Sequence, residues 1–103
     1  MAKIDDEWRV LEHGPIERLA DNLWRVRGAL PGMSLRRTMT IVRRRSGNLL
    51  IHSAIALNET AMRELEALGP PTELVVPNRG HRLDAPAYKK RYPNLRVYTP
   101  RGG

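Results

Sequence analysis

Hydrophobic and polar residues alternate through much of the first half of the chain, a pattern typical of β-strands with one buried face. Asp21 and Asn22 separate the first two such runs, and both residue types tolerate the backbone of a tight hairpin turn. A Ser-Gly-Asn turn at residues 46–48 separates the next two. We therefore predict two antiparallel hairpins, with a loop over residues 28–36 between them because a Pro-Gly pair interrupts the pattern there. The predicted strands are residues 16–20, 23–27, 38–43 and 49–53.

The second half changes to a helical period. Between residues 58 and 68 the apolar positions form one stripe opposite charged residues, as in a helix packed against a core. Asn58 is suited to the N-cap and Gly69 to the C-terminal end, and the two prolines that follow prevent continuation of the helix. A second helix is predicted to begin at Asp84 or Ala85 and to end at the Pro-Asn pair of residues 93–94. The two remaining predicted strands are residues 73–76 and 95–98.

These elements predict an α/β fold, more narrowly an α+β mixed sheet. Two antiparallel hairpins are followed by β-α-β-α-β with short, right-handed connections, so both helices should lie on one face of the sheet. Residues 49–51 are apolar on both faces of their strand, which is typical of a central strand covered on both sides. We expect an N-terminal arm over residues 1–15, a single domain over residues 16–99 and a tail over residues 100–103.

Composition narrows the class of protein. A hydrophobic fraction of 41%, arranged in blocks between turns, argues against disorder. The chain contains no cysteine, which excludes disulfides, thiolate metal sites and a cysteine nucleophile, and which fits a reducing cytoplasm. The acidic start does not have the pattern of a signal peptide, and no apolar stretch reaches the length of a bilayer. We therefore expect a cytoplasmic protein without a membrane partner.

The formal net charge is +7, with fifteen arginines and three lysines against eleven acidic residues. Such a field permits binding to nucleic acid or to an acidic partner. The arginines are spread along the chain, however, which is more typical of a solvated surface. Three of them, Arg43, Arg44 and Arg45, lie together at a hairpin tip. We interpret them as charges that deter pairing at a sheet edge, with a phosphate-binding cluster as the alternative.

The apolar strand at residues 73–76 stops in a Pro-Asn-Arg-Gly turn, and a histidine and an aspartate follow. Because parallel α/β sheets bind ligands at the carboxyl ends of their strands, a pocket is predicted there. The residues of this predicted pocket are His52, Asn78, His81 and Asp84. A simpler interpretation makes Asp84 a helix N-cap, Asn78 a turn residue and His81 a loop residue hydrogen-bonded to Asp84. His52 is then a hydrogen-bonded core histidine.

No residue is assigned a catalytic role. Ser53 directly follows His52 on a strand, so the two side chains are predicted to point to opposite faces, which excludes a nucleophile–base pair. His13 is predicted to be an exposed loop residue, and Trp8 to pack the arm against the domain. The sequence contains no serine nucleophile elbow, phosphate-binding glycine loop or pair of catalytic carboxylates.

In order and spacing, the predicted elements resemble the opening part of the metallo-β-lactamase superfamily. The matching segments are residues 21–28, 38–42, 47–53, the helix from Asn58, and residues 73–77 and 92–100. This resemblance implies half of an αββα sandwich. It also implies a degenerate metal motif. When Asn78 is set on the first histidine of the superfamily's Thr-His-x-His-x-Asp-His, the other functional positions hold Gly80, Arg82 and Leu83, which cannot bind zinc as histidine or carboxylate would. The sequence looks closer to an uncharacterised branch of the superfamily, in which a Pro-Asn-containing segment with a nearby histidine replaces this motif.

A half-sandwich leaves one sheet face for a partner, and a bare apolar face is unusual on a soluble monomer. We therefore expect a homodimer that packs sheet to sheet by two-fold symmetry, without a cofactor and without catalytic activity of its own. Two alternatives stay open. The first is a metal-dependent hydrolase with zinc or another divalent metal, assembled across the dimer from His52, His81 and Asp84, with His13 as an optional further ligand. The second is a basic protein that binds nucleic acid or an acidic partner through residues 43–45.

Overall fold

A computed structural model describes residues 7–30, 33–77 and 84–99 of the chain and shows a mixed sheet with two helices. The described strands lie in the order β1-β2-β3-β4-β5-β6. Neighbours from β1 to β4 are antiparallel, whereas β4, β5 and β6 are parallel. The predicted fold class is confirmed. The elements are β1 (Glu17–Ala20), β2 (Leu23–Leu30), β3 (Met33–Arg43), β4 (Leu49–His52), α1 (Glu59–Leu68), β5 (Pro71–Val75), α2 (Ala85–Arg91) and β6 (Arg96–Tyr98).

One face of the sheet packs against both helices and forms the core. Alternate residues of the central strands point to this face and are almost fully buried, as the period-2 pattern requires. They meet Met62 and Leu65 of α1 and Tyr88 of α2. The sheet residues of this core are Trp24, Val26, Met39, Ile41, Leu49, Ile51 and Leu74.

The other face, here called the open face, carries the alternate positions of the same strands. One row of paired residues crosses all six strands, and these residues are half-buried or exposed; they are Glu17, Arg25, Thr40, His52, Val75 and Tyr98. A second row crosses β2 to β6 and consists of Leu23, Val42, Leu50, Glu73 and Arg96. Both described helices pack on the opposite face, so within the described part of the chain no helix covers this one. Residues 49–51 are therefore covered on one side only.

The predicted loop over residues 28–36 is wrong. Strand β2 continues to residue 30 and β3 begins at residue 33, with Gly28 paired to Arg37 and Ala29 to Arg36. The N-terminal arm also pairs with this extension, through a bridge between His13 and Gly28. Glycine suits that position because a Cβ would lie 3.4 Å from the His13 side chain. The Pro-Gly pair on which the predicted loop depends occupies residues 31–32, which lie outside the described residues.

The predicted limits of α1 are confirmed. Asn58 is the N-cap, and its side chain accepts a hydrogen bond of 2.8 Å from the backbone N–H of Ala61. Gly69 ends the helix where a Cβ would lie 2.1 Å from the Gly47 carbonyl oxygen, so only glycine fits. Strand β5 begins two residues earlier than predicted, at Pro71, because a first strand residue does not need its N–H. Neither helix of the described residues is long and apolar enough to cross a membrane.

Candidate functional site

The carboxyl end of β4 leads into residues 53–58, here called the β4–α1 loop. Ser53, Ala54, Ile55, Ala56 and Leu57 are all buried, although the segment has no regular secondary structure. Buried backbone N–H and C=O groups must find partners, and a loop supplies few of its own. Most of the partners found here are side chains from other elements, so the surroundings of this loop are the first place to look for a site.

Ile55 is held by two core side chains. Its backbone N–H points to the sulfur of Met39 at 3.2 Å, and its carbonyl oxygen accepts a hydrogen bond of 2.7 Å from the hydroxyl of Tyr88. The Tyr88 side chain is fully buried, and burial raises the pKa of its hydroxyl well above the usual value. A hydroxyl kept protonated in this way serves as a permanent donor to the loop.

Asp84 holds the next residue of the loop. One carboxylate oxygen, Oδ2, accepts a hydrogen bond of 2.9 Å from the Ala56 N–H and lies 2.9 Å from a guanidinium nitrogen of Arg37. The guanidinium also donates to the Ala29 carbonyl at 3.1 Å. Only 8% of the Arg37 side chain and 10% of the Asp84 side chain are exposed, so this is a buried ion pair.

The simpler interpretation of Asp84 is therefore correct in position and wrong in mechanism. Asp84 is the N-cap residue of α2, but its side chain makes no capping hydrogen bond. The carboxylate instead neutralises the buried charge of the Arg37 guanidinium and accepts the hydrogen bond of the Ala56 N–H. Asp84 thus ties α2 to β3 and to the β4–α1 loop.

The N-terminal arm supplies the last two bonds to the loop. The indole N–H of Trp8 donates to the Leu57 carbonyl at 2.9 Å, and the Trp8 ring centre lies 4.8 Å from that of Tyr88. His13 accepts the Asn58 N–H through Nε2 at 3.0 Å, and its Nδ1 lies 2.8 Å from the Gly14 carbonyl oxygen. This geometry fits the neutral tautomer with its proton on Nδ1. His13 is half-buried and bonded at both nitrogens, so the prediction of an exposed loop residue is wrong.

Arg91 fastens the outside of the same region. Its guanidinium binds both carboxylate oxygens of Glu59 at 2.9 Å and lies 4.7 Å from the centre of the Trp8 ring. The hydrogen bonds from Arg91 lower the pKa of the Glu59 carboxyl. Burial, and a hydrogen bond to Glu66, raise the pKa of Tyr92. These groups join α2, α1 and the arm, and each of them has a structural partner.

The predicted separation of His52 and Ser53 is wrong. The Ser53 hydroxyl oxygen lies 3.1 Å from His52 Nδ1. Strand alternation fails because the chain leaves the strand at Ser53, whose φ of +61° is in the left-handed region that few non-glycine residues adopt. A serine beside an imidazole has the residue types of a nucleophile and its base. However, Ser53 is only 4% exposed, which leaves little room for a substrate to reach its hydroxyl.

Two of the four predicted pocket residues can be placed. His52 pairs with Thr40 and Val75 and so belongs to the open face. Asp84 binds Arg37, which shares the helix-covered face with Met39. Asn78 and His81 lie outside the described residues, so the pocket as a whole stays a prediction. Among the described residues, no group of three or more histidine, aspartate or glutamate side chains is arranged to hold a metal ion.

The arginine tip lies at the β3–β4 turn, between two interior strands, so the predicted role at a sheet edge is wrong. The Arg43 guanidinium donates to the carbonyls of Leu68 and Asp21 at 3.4 and 3.3 Å and lies 5.0 Å from the Trp24 ring centre. Arg44 forms an ion pair with Glu73. Two of the three tip arginines thus have interaction partners within the same chain.

Three residues central to this region, Arg37, Met39 and Tyr88, carry no functional prediction from the sequence. For Arg37, the alternating pattern of the sequence indicates a buried side chain. Arg37 lies two and four residues before Met39 and Ile41, on the face that alternation assigns to the core, and a core arginine requires a buried anionic partner. For Tyr88 the indication is weaker, and it is that a buried tyrosine hydroxyl usually has a hydrogen-bond acceptor.

Comparison with known proteins adds no assignment. No protein-family model matches the chain, and no curated protein is significantly similar to it.

The bond between Tyr88 and Ile55 can be tested by replacing Tyr88 with phenylalanine. We expect a loss of about 1–3 kcal/mol in the free energy of unfolding, because the buried Ile55 carbonyl loses its donor. The folded protein keeps this hydroxyl protonated at pH values where the unfolded chain ionises it, so Tyr88 also makes stability fall as pH rises above about 10. Urea denaturation at pH 7.5 and pH 10.5 measures both effects. Tyr98→Phe, at an exposed tyrosine, is the control and should change neither.

The buried ion pair predicts a non-additive pair of substitutions. Asp84→Asn keeps an acceptor for the Ala56 N–H but leaves the Arg37 charge unpaired, so we expect a cost of about 3–5 kcal/mol. Arg37→Met combined with Asp84→Asn should cost less than the two single changes added, because no uncompensated charge remains. Glu12→Gln, which breaks the exposed ion pair of the adjacent Arg36, should cost under about 0.5 kcal/mol. Additive costs at Arg37 and Asp84 in urea denaturation would contradict a coupled pair.

Proposed function

We propose that this protein is a non-catalytic domain related to the metallo-β-lactamase superfamily and that two copies associate through their open faces. The observation that carries the proposal is the open face itself. Six strands present one continuous surface, while both helices lie on the other side of the sheet. In an αββα sandwich that surface is covered by a second sheet about 10 Å away. A second copy of the chain would supply such a sheet.

The side chains of the open face have the composition of an interface. Its apolar residues are only half-buried in the single chain and lie beside Thr40 and His52 of the two central strands, and Tyr98 at one edge is 47% exposed. Half-buried apolar residues together with an aromatic residue and charged rims are typical of association surfaces. The half-buried apolar residues are Leu23, Val42, Leu50 and Val75.

Charges at the two edges of the open face favour a two-fold arrangement. Glu17 lies on β1 at one edge and Arg96 on β6 at the other. A two-fold axis in the interface and parallel to the strands exchanges the edges, so that Glu17 of one copy comes toward Arg96 of the other. Opposite charges then meet at both ends of the interface.

Two contacts support an association domain over a metal-dependent hydrolase. The Asp84 carboxylate is already bound by the Arg37 guanidinium, which would compete with a metal ion for the same oxygen. His13 is bonded at both ring nitrogens, so neither is free to bind a metal. His52 and Asp84, moreover, belong to opposite faces of the sheet.

Association is tested by sedimentation velocity at micromolar concentration. We expect a species of twice the chain mass of 11.7 kDa, and we expect Leu50→Asp to convert it to the monomer by placing a charge in the middle of the interface. Val10→Asp, at an exposed apolar residue of the arm, is the matched control and should leave the dimer intact. Each copy carries a net charge of +7, so the dimer should tighten as salt screens the repulsion. A stable monomer at all salt concentrations would contradict the proposal.

Elemental analysis tests the metal-dependent alternative. Protein purified without chelator should contain well under one zinc or other transition-metal ion per chain, and His81→Ala should not change that content. The analysis should include Asp84→Asn, because the metal-dependent alternative places this carboxylate among the ligands. A stoichiometric metal that is lost in either variant would favour the hydrolase instead.

A further inference from the structure

In the described part of the chain, strand β6 forms an edge of the sheet. It pairs with β5 on one side and is the last strand in the described order. The Tyr98 carbonyl oxygen accepts the Val76 N–H at 2.8 Å, so the backbone groups of Tyr98 point toward β5. Those of its neighbour Val97 point the other way, because alternate residues of a strand use opposite edges. An extended segment can therefore pair with β6 at Val97.

A groove of about 650 Å³ lies beside this edge, between β6 and α2. Its floor contains Val76 and Leu95, which are almost fully buried, and the Val97 side chain, 37% exposed, projects at its rim. The α2 side contributes Ala85 and Pro86. A strand added along β6 would direct every second side chain toward this apolar surface.

The charges around the groove have one sign. Lys89 and Arg96 line it, and none of the described residues that line it is acidic. The Lys89 ammonium is held in place by the carbonyls of Pro93 and Leu95 at 2.7 and 2.6 Å, while Arg96 is exposed and has no ion-pair partner in the described part of the chain. We propose that this groove binds an extended acidic peptide, which adds a strand to β6 and places apolar side chains against Val97 and Leu95.

The same charges disfavour a second copy of the chain at this edge. Pairing of β6 with β6 of a partner would bring Lys89 and Arg96 toward the same two cations across a short strand, and like charges oppose such pairing. The residues after β6 include Arg101, whose positive charge likewise does not complement the cations of the groove. An acidic segment of another protein is the occupant whose charge complements the groove.

This inference does not require the proposed dimer, although Arg96 belongs both to the open face and to the lining of the groove. The Tyr98 side chain belongs to the open face, whereas that of Val97 points to the helix-covered side. Two sheets packed face to face would leave the outer edge of β6 and the groove accessible. Failure of one proposal therefore leaves the other standing.

A synthetic peptide of eight alternating glutamate and valine residues, labelled with fluorescein, tests the groove by fluorescence anisotropy with the full-length protein. We expect binding that weakens at least fivefold in Arg96→Glu, an exposed position where the change should not affect folding. All variants are made in the Leu50→Asp background, because Arg96 and Arg27 also lie on the open face and could otherwise act through the proposed dimer. Arg27→Glu reverses another exposed arginine on β2 and should change the affinity less than twofold. A peptide of alternating lysine and valine should not bind.

Two outcomes would overturn the inference. Equal weakening in Arg96→Glu and Arg27→Glu would mean that the peptide responds only to total charge. Absence of binding to the wild-type protein at millimolar peptide would exclude the site. Amide chemical shifts in a titration with the glutamate–valine peptide give the location. We expect the largest changes at Val97 and along α2, and changes centred on another surface would equally overturn the proposal.

Discussion

The structure depends on burial of the β4–α1 loop, which runs through the core without regular secondary structure. Burial is tolerated only because the backbone N–H and C=O groups of the loop that form hydrogen bonds find their partners on other elements. Met39 and Tyr88 bind Ile55, Asp84 binds Ala56, and Trp8 binds Leu57. Strand β3, helix α2 and the N-terminal arm are thereby fixed to one segment. An unsatisfied group at this depth would cost a few kcal/mol, a large part of the stability of a small domain.

This constraint explains why a region with suitable residue types for chemistry is not well placed to perform it. The polar groups near the carboxyl end of β4 are used to hold the loop. Asp84 neutralises Arg37, His13 is bonded at both nitrogens, and Ser53 is buried beside His52. Two surfaces in the described part of the chain remain available to partners, the open face and the edge of β6. Both follow from the same layer arrangement, in which the helices cover one side of the sheet.

The sequence was sufficient for the order of the elements, the mixed sheet and the capping of α1, because these depend on local pattern and local chemistry. It was insufficient wherever a residue is defined by a distant partner. Nothing in the sequence near Asp84 indicates that its buried ion-pair partner is Arg37, which lies 47 positions earlier in the chain. The local Pro-Gly signal predicts a loop at residues 28–36, but pairing between β2 and β3 outweighs it. The positive φ of Ser53 likewise reflects the loop's tertiary contacts.

If the open face of the sheet is an association surface, its side chains lose contact with solvent when two copies bind. Hydroxyl-radical footprinting over a range of protein concentrations tests this association most directly, because it reports which side chains lose contact with solvent. We expect oxidation of Tyr98 and Leu50 to fall as concentration rises, while oxidation of Val10 stays constant. Equal oxidation of Tyr98 and Leu50 at all concentrations would contradict it.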